Sequence, residues 1–312
     1  MVMMKKVKWK KLLLILLTSI GVISVAAGNY AWGLVVSTYT NIQADVERKE
    51  TKERLEAIDF GEGDPFSVLL MGIDEPGDNG DNNQRADTLI YLTVNPDRNS
   101  IHMVSIPRDT YTDIVGKGKK DKINHSYAFG GQEMTIRTVE KFLDVPVDYF
   151  IQIDLEGFED MVDAVGGVDV HNDFDFTYKD VHFEKGPNHL NGNEAVKYTR
   201  MRKDDPRGDF GRQERQREVI LNLIDQGKSM SSITRVKDIF SVVEKNVQTN
   251  FNLKEIWTIQ SNYRSALDQI HQHEIKGKDG SIDETYYYMP DQESLKKLSN
   301  DLKKHLENPK SS

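Results

Sequence analysis

The chain of 312 residues contains no cysteine. Disulfide staples, zinc–thiolate centres and thiol nucleophiles are therefore excluded, and the fold must stand on its apolar core. Also absent are a Walker loop, a G-x-S-x-G elbow, an H-E-x-x-H helix and a G-x-G-x-x-G turn. These are common signatures of nucleotide, serine-hydrolase and zinc-peptidase chemistry. Basic charge is scarce where a nucleic-acid surface would need it. Five lysines and no acid stand in the first 36 positions, which leaves 36 basic against 50 acidic residues beyond them, a net of −14. Nucleic acid is thus excluded as a partner, because it calls for a basic face. Any anion site must be a local cluster. No repeat, low-complexity tract or Pro/Gly/Ser linker divides the chain.

Long hydrophobic runs are missing as well, with one exception. Leu12 to Val36 carry no charge over 25 residues, enough to span about 30 Å of hydrocarbon as a helix. Lys5, Lys6, Lys8, Lys10 and Lys11 precede it and would hold the N-terminus in the cytoplasm. The expected organisation is a cytoplasmic tail (1–11), a transmembrane signal-anchor helix (12–36), an extracytoplasmic stalk (37–63), a catalytic domain (64–306) and a C-terminal tail (307–312). The expected localisation is a single-pass cell-membrane protein with its domain outside. A cleaved signal peptide is the alternative, since Ser24-Val25-Ala26 follows a short apolar core.

Within the domain, Phe66–Ile73, Thr88–Val94 and Ile101–Ile106 read as strands, the last two joined by the turn cluster Asn95–Asn99. Tyr149–Ile153 is strand-like. Helical spacing occurs at Glu133–Leu143, Leu155–Val165, Asn193–Tyr198 and Arg212–Ile224. Further helices are expected near 230–245, 253–268 and Gln292–Leu306, with a strand near Tyr286–Met289. Strands interleaved with helices imply α/β with a sheet covered on both faces. The hairpin makes that sheet mixed.

Three clusters can carry chemistry. Asp74 ends one strand and Asp87 begins the next, so their carboxylates converge if the strands are neighbours. Paired oxygens suit Mg²⁺, although Asp beside Gly and Asn is also an ordinary turn former. Arg108 follows Pro107 at a strand exit, and Lys122 is a further cation before Asn124 and His125. The densest cluster places Arg200 and Arg202 at a helix end, then Asp209, Arg212 and Gln216. Arg212 and Gln216 lie on one helix face above Val219, Ile220 and Leu223. Guanidinium forks match phosphate oxygens bidentately. Arg215 and Arg217 are expected on a solvated face beside Glu214 and Glu218. His271 and His273 share one strand face, which exposed histidines explain as well as ligands do.

The segments MGID (71–74), RADT (85–88), SIPRDTY (105–111), KINHSYAFGG (122–131), HLNGNEAVKYTRMR (189–202) and DFGRQERQ (209–216) together resemble the LytR-CpsA-Psr family, in particular its branch that ligates wall teichoic acid. The resemblance covers roughly residues 1–230 and is generic beyond about 250. It implies an α/β/α sandwich with a central mixed β-sheet and a channel for a polyprenyl tail. It further implies Mg²⁺, with Mn²⁺ as the substitute, on Asp74 and Asp87. Arg85, Arg108, Arg200, Arg202, Arg212, Gln216 and Lys122 would grip a pyrophosphate, and Asp87, Arg108 and Asp209 would act in catalysis. The implied activity is a glycopolymer phosphotransferase with a pyrophosphatase side activity. Its donor would be an undecaprenyl-pyrophosphate-linked glycopolymer and its acceptor the 6-hydroxyl of peptidoglycan N-acetylmuramic acid. The alternatives are a non-catalytic scaffold that binds polyprenyl-pyrophosphate lipids, which needs the arginines but not the aspartate pair, and a membrane-bound transcriptional attenuator. The tail of eleven residues leaves no room for a DNA-binding part on the cytoplasmic side.

Overall fold

The computed structural model describes residues 58–74, 84–229, 242 and 245–307. Among these, no helix is long and apolar enough to cross a membrane. The expected anchor (12–36), nearly all of the stalk and most of the helix near 230–245 lie outside the described residues.

Six strands make the central sheet: β1 (Phe66–Asp74), β2 (Arg85–Asn95), β3 (Ser100–Ser105), then β6 (Tyr149–Asp154), β11 (Val247–Thr249) and β12 (Gln269–Glu274). Their order is β11-β6-β1-β2-β3-β12. The β1–β2, β2–β3 and β11–β6 pairs are antiparallel, while β1–β6 and β3–β12 are parallel. The sheet is mixed, as expected. Four short hairpin-like pairs decorate it: β4 (Tyr111–Ile114) with β5 (Lys119–Lys122), β7 (Val168–Asn172) with β10 (Gly186–Leu190), β8 (Phe176–Tyr178) with β9 (Val181–Phe183), and β13 (Gly277–Ile282) with β14 (Thr285–Pro290). The helices are α1 (His125–Leu143), α2 (Leu155–Val165), α3 (Gly192–Arg200), α4 (Asp209–Ser229), α5 (Leu253–Asn262) and α6 (Gln292–Leu306).

Alternation along β1 separates the two faces of the sheet. Leu69, Met71 and Ile73 pack with Ala86, Leu89 and Tyr91 of β2 against Val139 and Leu143 of α1 and Leu302 of α6, a closed core. Phe66 and Val68 face the other way, toward Phe251 and Tyr263 beside α5. On that second face Leu70, Leu92 and Ile151 stand in the middle of the sheet yet are only half-buried. A central strand position left half-open indicates a void above it, not a packed layer.

Three local expectations change. Helix α1 begins at His125 instead of Glu133, because Gly130 and Gly131 (φ +61°) kink one helix into two pieces. The stretch 253–268 is broken at Tyr263 into α5 and a 3-10 turn, Arg264–Asp268. Arg215 and Arg217 are not solvated; each is 4% exposed.

Candidate functional site

A one-residue slip positions the two aspartates. Gly72 pairs with Thr88, but Ile73 pairs with Ala86, so Asp87 is the extra residue of a β-bulge. In regular register Asp87 would oppose Ile73 and point into the closed core. The bulge turns Ala86 into that core and leaves Asp87 on the face of Asp74. Gly72 permits the close approach: a Cβ there would lie 2.9 Å from the Cβ of Thr88.

Arg108 reaches Asp87 from the loop after β3. The peptide N–H of Asn124 donates to the Arg108 carbonyl (3.2 Å) and that of Ile123 to the Thr110 carbonyl (2.9 Å), which ties the loop to the start of α1. Arg108 Nη1 donates to Asp87 Oδ2, and Asn124 Nδ2 donates to Asp87 Oδ1 at 2.8 Å. Asp109 is buried between cations: Lys122 Nζ at 2.7 Å, Arg108 Nε at 3.7 Å and Arg202 Nη1 at 3.8 Å. Burial alone would raise the pKa of Asp109. The bond and charge of Lys122, with Arg108 and Arg202, override it and hold the carboxyl below its ordinary value. For Arg108 burial opposes the charge, yet Asp87, Asp109 and Asp209 raise its pKa.

The third cluster closes the ring. Arg200, the last residue of α3, donates to Asp74 Oδ2 at 3.2 Å. Asp209, the first residue of α4, is 2.6 Å from Arg212 Nη2 and 3.7 Å from Arg202 Nε, and accepts from Gln213 Nε2 at 2.8 Å. Arg212 is 6% exposed. Burial lowers its pKa, with Asp209 as the largest opposing charge.

The loop between α3 and α4 is held by residues that sequence reasoning set aside. Arg215 donates from Nε to the Tyr198 carbonyl (3.0 Å), from Nη2 to the Met201 carbonyl (2.5 Å) and from Nη1 to Asp205 Oδ2 (2.5 Å). Gly211 lies so close to that pair that a Cβ would meet Asp205 Oδ2 at 1.9 Å. Arg217 donates to Ser105 Oγ and Gln272 Oε1, tying α4 to the sheet. Local partners Glu214 and Glu218 mask this in sequence. The only available signal is angular: on a 3.6-residue period Arg215 lies close to the apolar Val219 line.

Two cavities meet at this ring. The larger, about 1570 Å³, has an apolar floor of Phe66, Val68, Leu70, Leu92 and Ile151 and a polar end with Asp74, Asp87, Arg108, Arg200, Arg202, Asp209, Arg212 and Gln216. At its solvent side lies Ile256, which with Trp257 makes the pair of exposed large apolar residues among the described residues. The smaller cavity, about 340 Å³, is lined by Arg85, Asp87, Arg108, Asp109, Lys122, Asn124, His125, Arg202 and Tyr286. Of the cations expected at one anion, Arg200 and Arg212 face the large cavity, Arg85 and Lys122 the small one, and Arg108 and Arg202 both. Asp74 and Asp87 offer hard oxygens toward one space with no imidazole lining it, a donor set that fits a hard divalent cation completed by phosphate and water. Among the described residues no group of three or more His, Cys, Asp or Glu is arranged to hold a metal by itself.

A sequence model of the LytR_cpsA_psr family matches residues 30–304, so the likeness extends well past residue 250. The polyisoprenyl-teichoic acid–peptidoglycan teichoic acid transferase TagU of Bacillus subtilis (strain 168) is 52% identical over 307 residues, 97% of this chain and 98% of that protein. The crystal structure of B. subtilis TagU superposes with a TM-score of 0.62 at 54% identity, covering 78% of this chain and 98% of that one. The structure of TagT bound to LIIa-WTA gives a TM-score of 0.70 at 32% identity, covering 84% and 98%. With the fold, the bulged aspartate pair and the arginine ring in place, this chain belongs to the LytR-CpsA-Psr family.

Proposed function

We propose that this protein transfers a teichoic acid or related anionic glycopolymer from undecaprenyl pyrophosphate to the 6-hydroxyl of a peptidoglycan N-acetylmuramic acid. The observation that carries the reading is one cavity, apolar along its length and ringed by arginines at its end. At about 1570 Å³ it exceeds the roughly 300–1,000 Å³ of ordinary small-molecule pockets, as a long apolar ligand with an anionic head requires. The teichoic acid transferase activity named for TagU supports the same reading. The uncharged run 12–36 would anchor the domain beside the membrane that holds such a donor.

The tail lies along the sheet face of Leu70, Leu92 and Ile151, and burial of its apolar surface supplies the binding free energy. Arg108, Arg200, Arg202 and Arg212, with Gln216, hold the pyrophosphate oxygens. The acceptor hydroxyl attacks the sugar-side phosphorus, the bond to the lipid phosphate breaks, and undecaprenyl phosphate leaves. Charge spreads over the equatorial oxygens in the transition state, so preorganised cations are the main source of rate. The buried pair Asp209–Arg212 and the Asp109–Lys122–Arg202 group keep these guanidiniums aimed before substrate arrives. Mg²⁺ (or Mn²⁺), held by Asp74 and Asp87, would supply a Lewis acid that offsets charge on the phosphates. The pyrophosphate link already stores the required free energy, so no nucleotide is needed.

The test is transfer from a synthetic lipid-linked donor to peptidoglycan fragments, with and without a chelator. Arg108→Ala and Arg212→Ala are each expected to lower turnover about 10²–10³-fold, the range for removing one oxyanion-stabilising donor. Turnover unchanged in both would refute the arginine clamp.

A further inference from the structure

We propose that the smaller cavity is the acceptor subsite, and that His125, held by Asp121, takes the proton from the attacking sugar hydroxyl. This rests on the transferase reading above and adds to it where the acceptor sits and which group activates it.

In-line displacement at phosphorus requires the nucleophile opposite the leaving group. The lipid phosphate leaves into the large cavity. The two cavities share Asp87, Arg108, Asp109, Arg202 and Tyr286 as a common wall. A phosphoryl group held at that wall therefore has its leaving group on one side and the small cavity on the other. At about 340 Å³ that space suits one sugar ring, at the low end of ligand pockets.

Two polar atoms of its lining residues are buried without a hydrogen bond. Asn124 is 4% exposed and spends its amide N–H on Asp87, but its Oδ1 is buried with no partner. Arg108 Nε is likewise buried without a hydrogen bond. Both atoms are sealed from the cavity, so the polar residues left to meet a hydroxyl there are Arg85, Lys122, His125 and Tyr286, which line it.

The proton needs an acceptor on the same side. Asp87 accepts from Arg108 and Asn124, and its remaining lone pairs are assigned to the divalent cation in the reading above. Asp209 is engaged by Arg212 and Gln213 and does not line the small cavity. Among the described residues His125 is the one imidazole lining either cavity. Its Nδ1 lies 3.0 Å from Asp121 Oδ1, and a carboxylate there selects the tautomer with the proton on Nδ1, leaving the Nε2 lone pair as the base. Asp121 is itself fixed by the peptide N–H of Lys122 at 2.8 Å and by Lys119 at 3.1 Å. Burial keeps His125 below its ordinary pKa; Asp121 raises it, and Arg85 and Lys122 lower it further. The ring is thus neutral, and competent to accept, at neutral pH. In the step the hydroxyl O–H breaks and its proton goes to Nε2. The new O–P bond forms as the bridging P–O bond breaks, and the electron pair departs with undecaprenyl phosphate. Imidazolium returns its proton to solvent.

The experiment uses the full chain in detergent with a lipid-pyrophosphate disaccharide donor and a peptidoglycan oligosaccharide acceptor. For His125→Gln, kcat is expected to fall about 100-fold or more, the acid limb of the pH–rate profile to vanish, and donor KM to stay within about twofold. For Asp121→Asn, which keeps the imidazole, the acid limb is expected to move to lower pH, because a carboxylate that raises the histidine pKa is gone. Wild-type kcat with an unshifted acid limb in both variants overturns the proposal. So does a loss confined to donor KM in His125→Gln, which would make the small cavity a donor-sugar site. No transfer by the unaltered chain, with donor bound, would instead sink the transferase reading itself.

Discussion

Arg215 offers the sharpest test of how the site is held, because it lines neither cavity yet carries the loop that presents Arg202. It is 4% exposed and Asp205, its partner, is fully buried at the side chain. Arg215→Met keeps much of the volume and removes the charge. It leaves the Asp205 carboxylate with only the Arg207 N–H (2.7 Å) and a distant Arg207 guanidinium (3.7 Å), and it frees the carbonyls of Tyr198 and Met201. Removing one partner of a buried pair typically destabilises by about 3–5 kcal/mol. For a domain of this size that corresponds to a Tm lower by roughly 6–20 °C, at about 2–4 °C per kcal/mol. The comparison is Arg137→Met: Arg137 pairs with Glu133 one turn away, with both side chains over 60% exposed, so about 0.5 kcal/mol or less is expected. Thermal unfolding followed by near-UV circular dichroism measures both. The double variant Arg215→Met/Asp205→Ser should recover at least about 1 kcal/mol of the summed single effects, since the two side chains are in direct contact. A Tm for Arg215→Met equal to that of Arg137→Met would refute the reasoning.

Two further outcomes follow from buried groups elsewhere. His305 is 2% exposed, bonded to Thr93 and Ser100 and stacked on His102 at 4.1 Å; burial, then the neighbouring His102, push its pKa down to about 3. The folded state thus binds fewer protons than the unfolded one, so this stabilisation is present above pH 6.5 and lost as pH falls from 6.5 toward 3. The slope approaches roughly 1.4 kcal/mol per pH unit. Urea unfolding at pH 6.5 and 4.5 should show the loss and His305→Leu a shallower slope; equal slopes would contradict the assignment. Gly72→Ala should destabilise by about 1–3 kcal/mol, because its Cβ would meet Thr88 at 2.9 Å. An unchanged urea midpoint would show that the bulged pair relaxes freely.

Much of this protein is determined within short stretches of its own sequence. The mostly apolar run Phe66–Ile73, bounded by turn residues, forms β1. The period-3.6 stripes of Leu155–Val165 and Gln292–Leu306 are helices at the residues expected. Candidate anion-binding residues were legible too, because six ordered segments concentrate arginine, aspartate and glutamine. What periodicity could not decide was the register, the burial of long cationic side chains and the empty volume. A bulge is one residue of slip, invisible in a pattern of apolar letters, yet it decides that Asp87 faces the cavity and not the core. Arg215 and Arg217 read as surface charges beside Glu214 and Glu218, since their partners at Asp205, Ser105 and Gln272 are distant in the chain. The division of the cations into two compartments depends on where the loop after β3 meets the start of α1. An apolar cavity wall and an ordinary core have the same composition; only the half-open Leu70, Leu92 and Ile151 in the middle of the sheet tell them apart, because exposure is a property of the assembled layers.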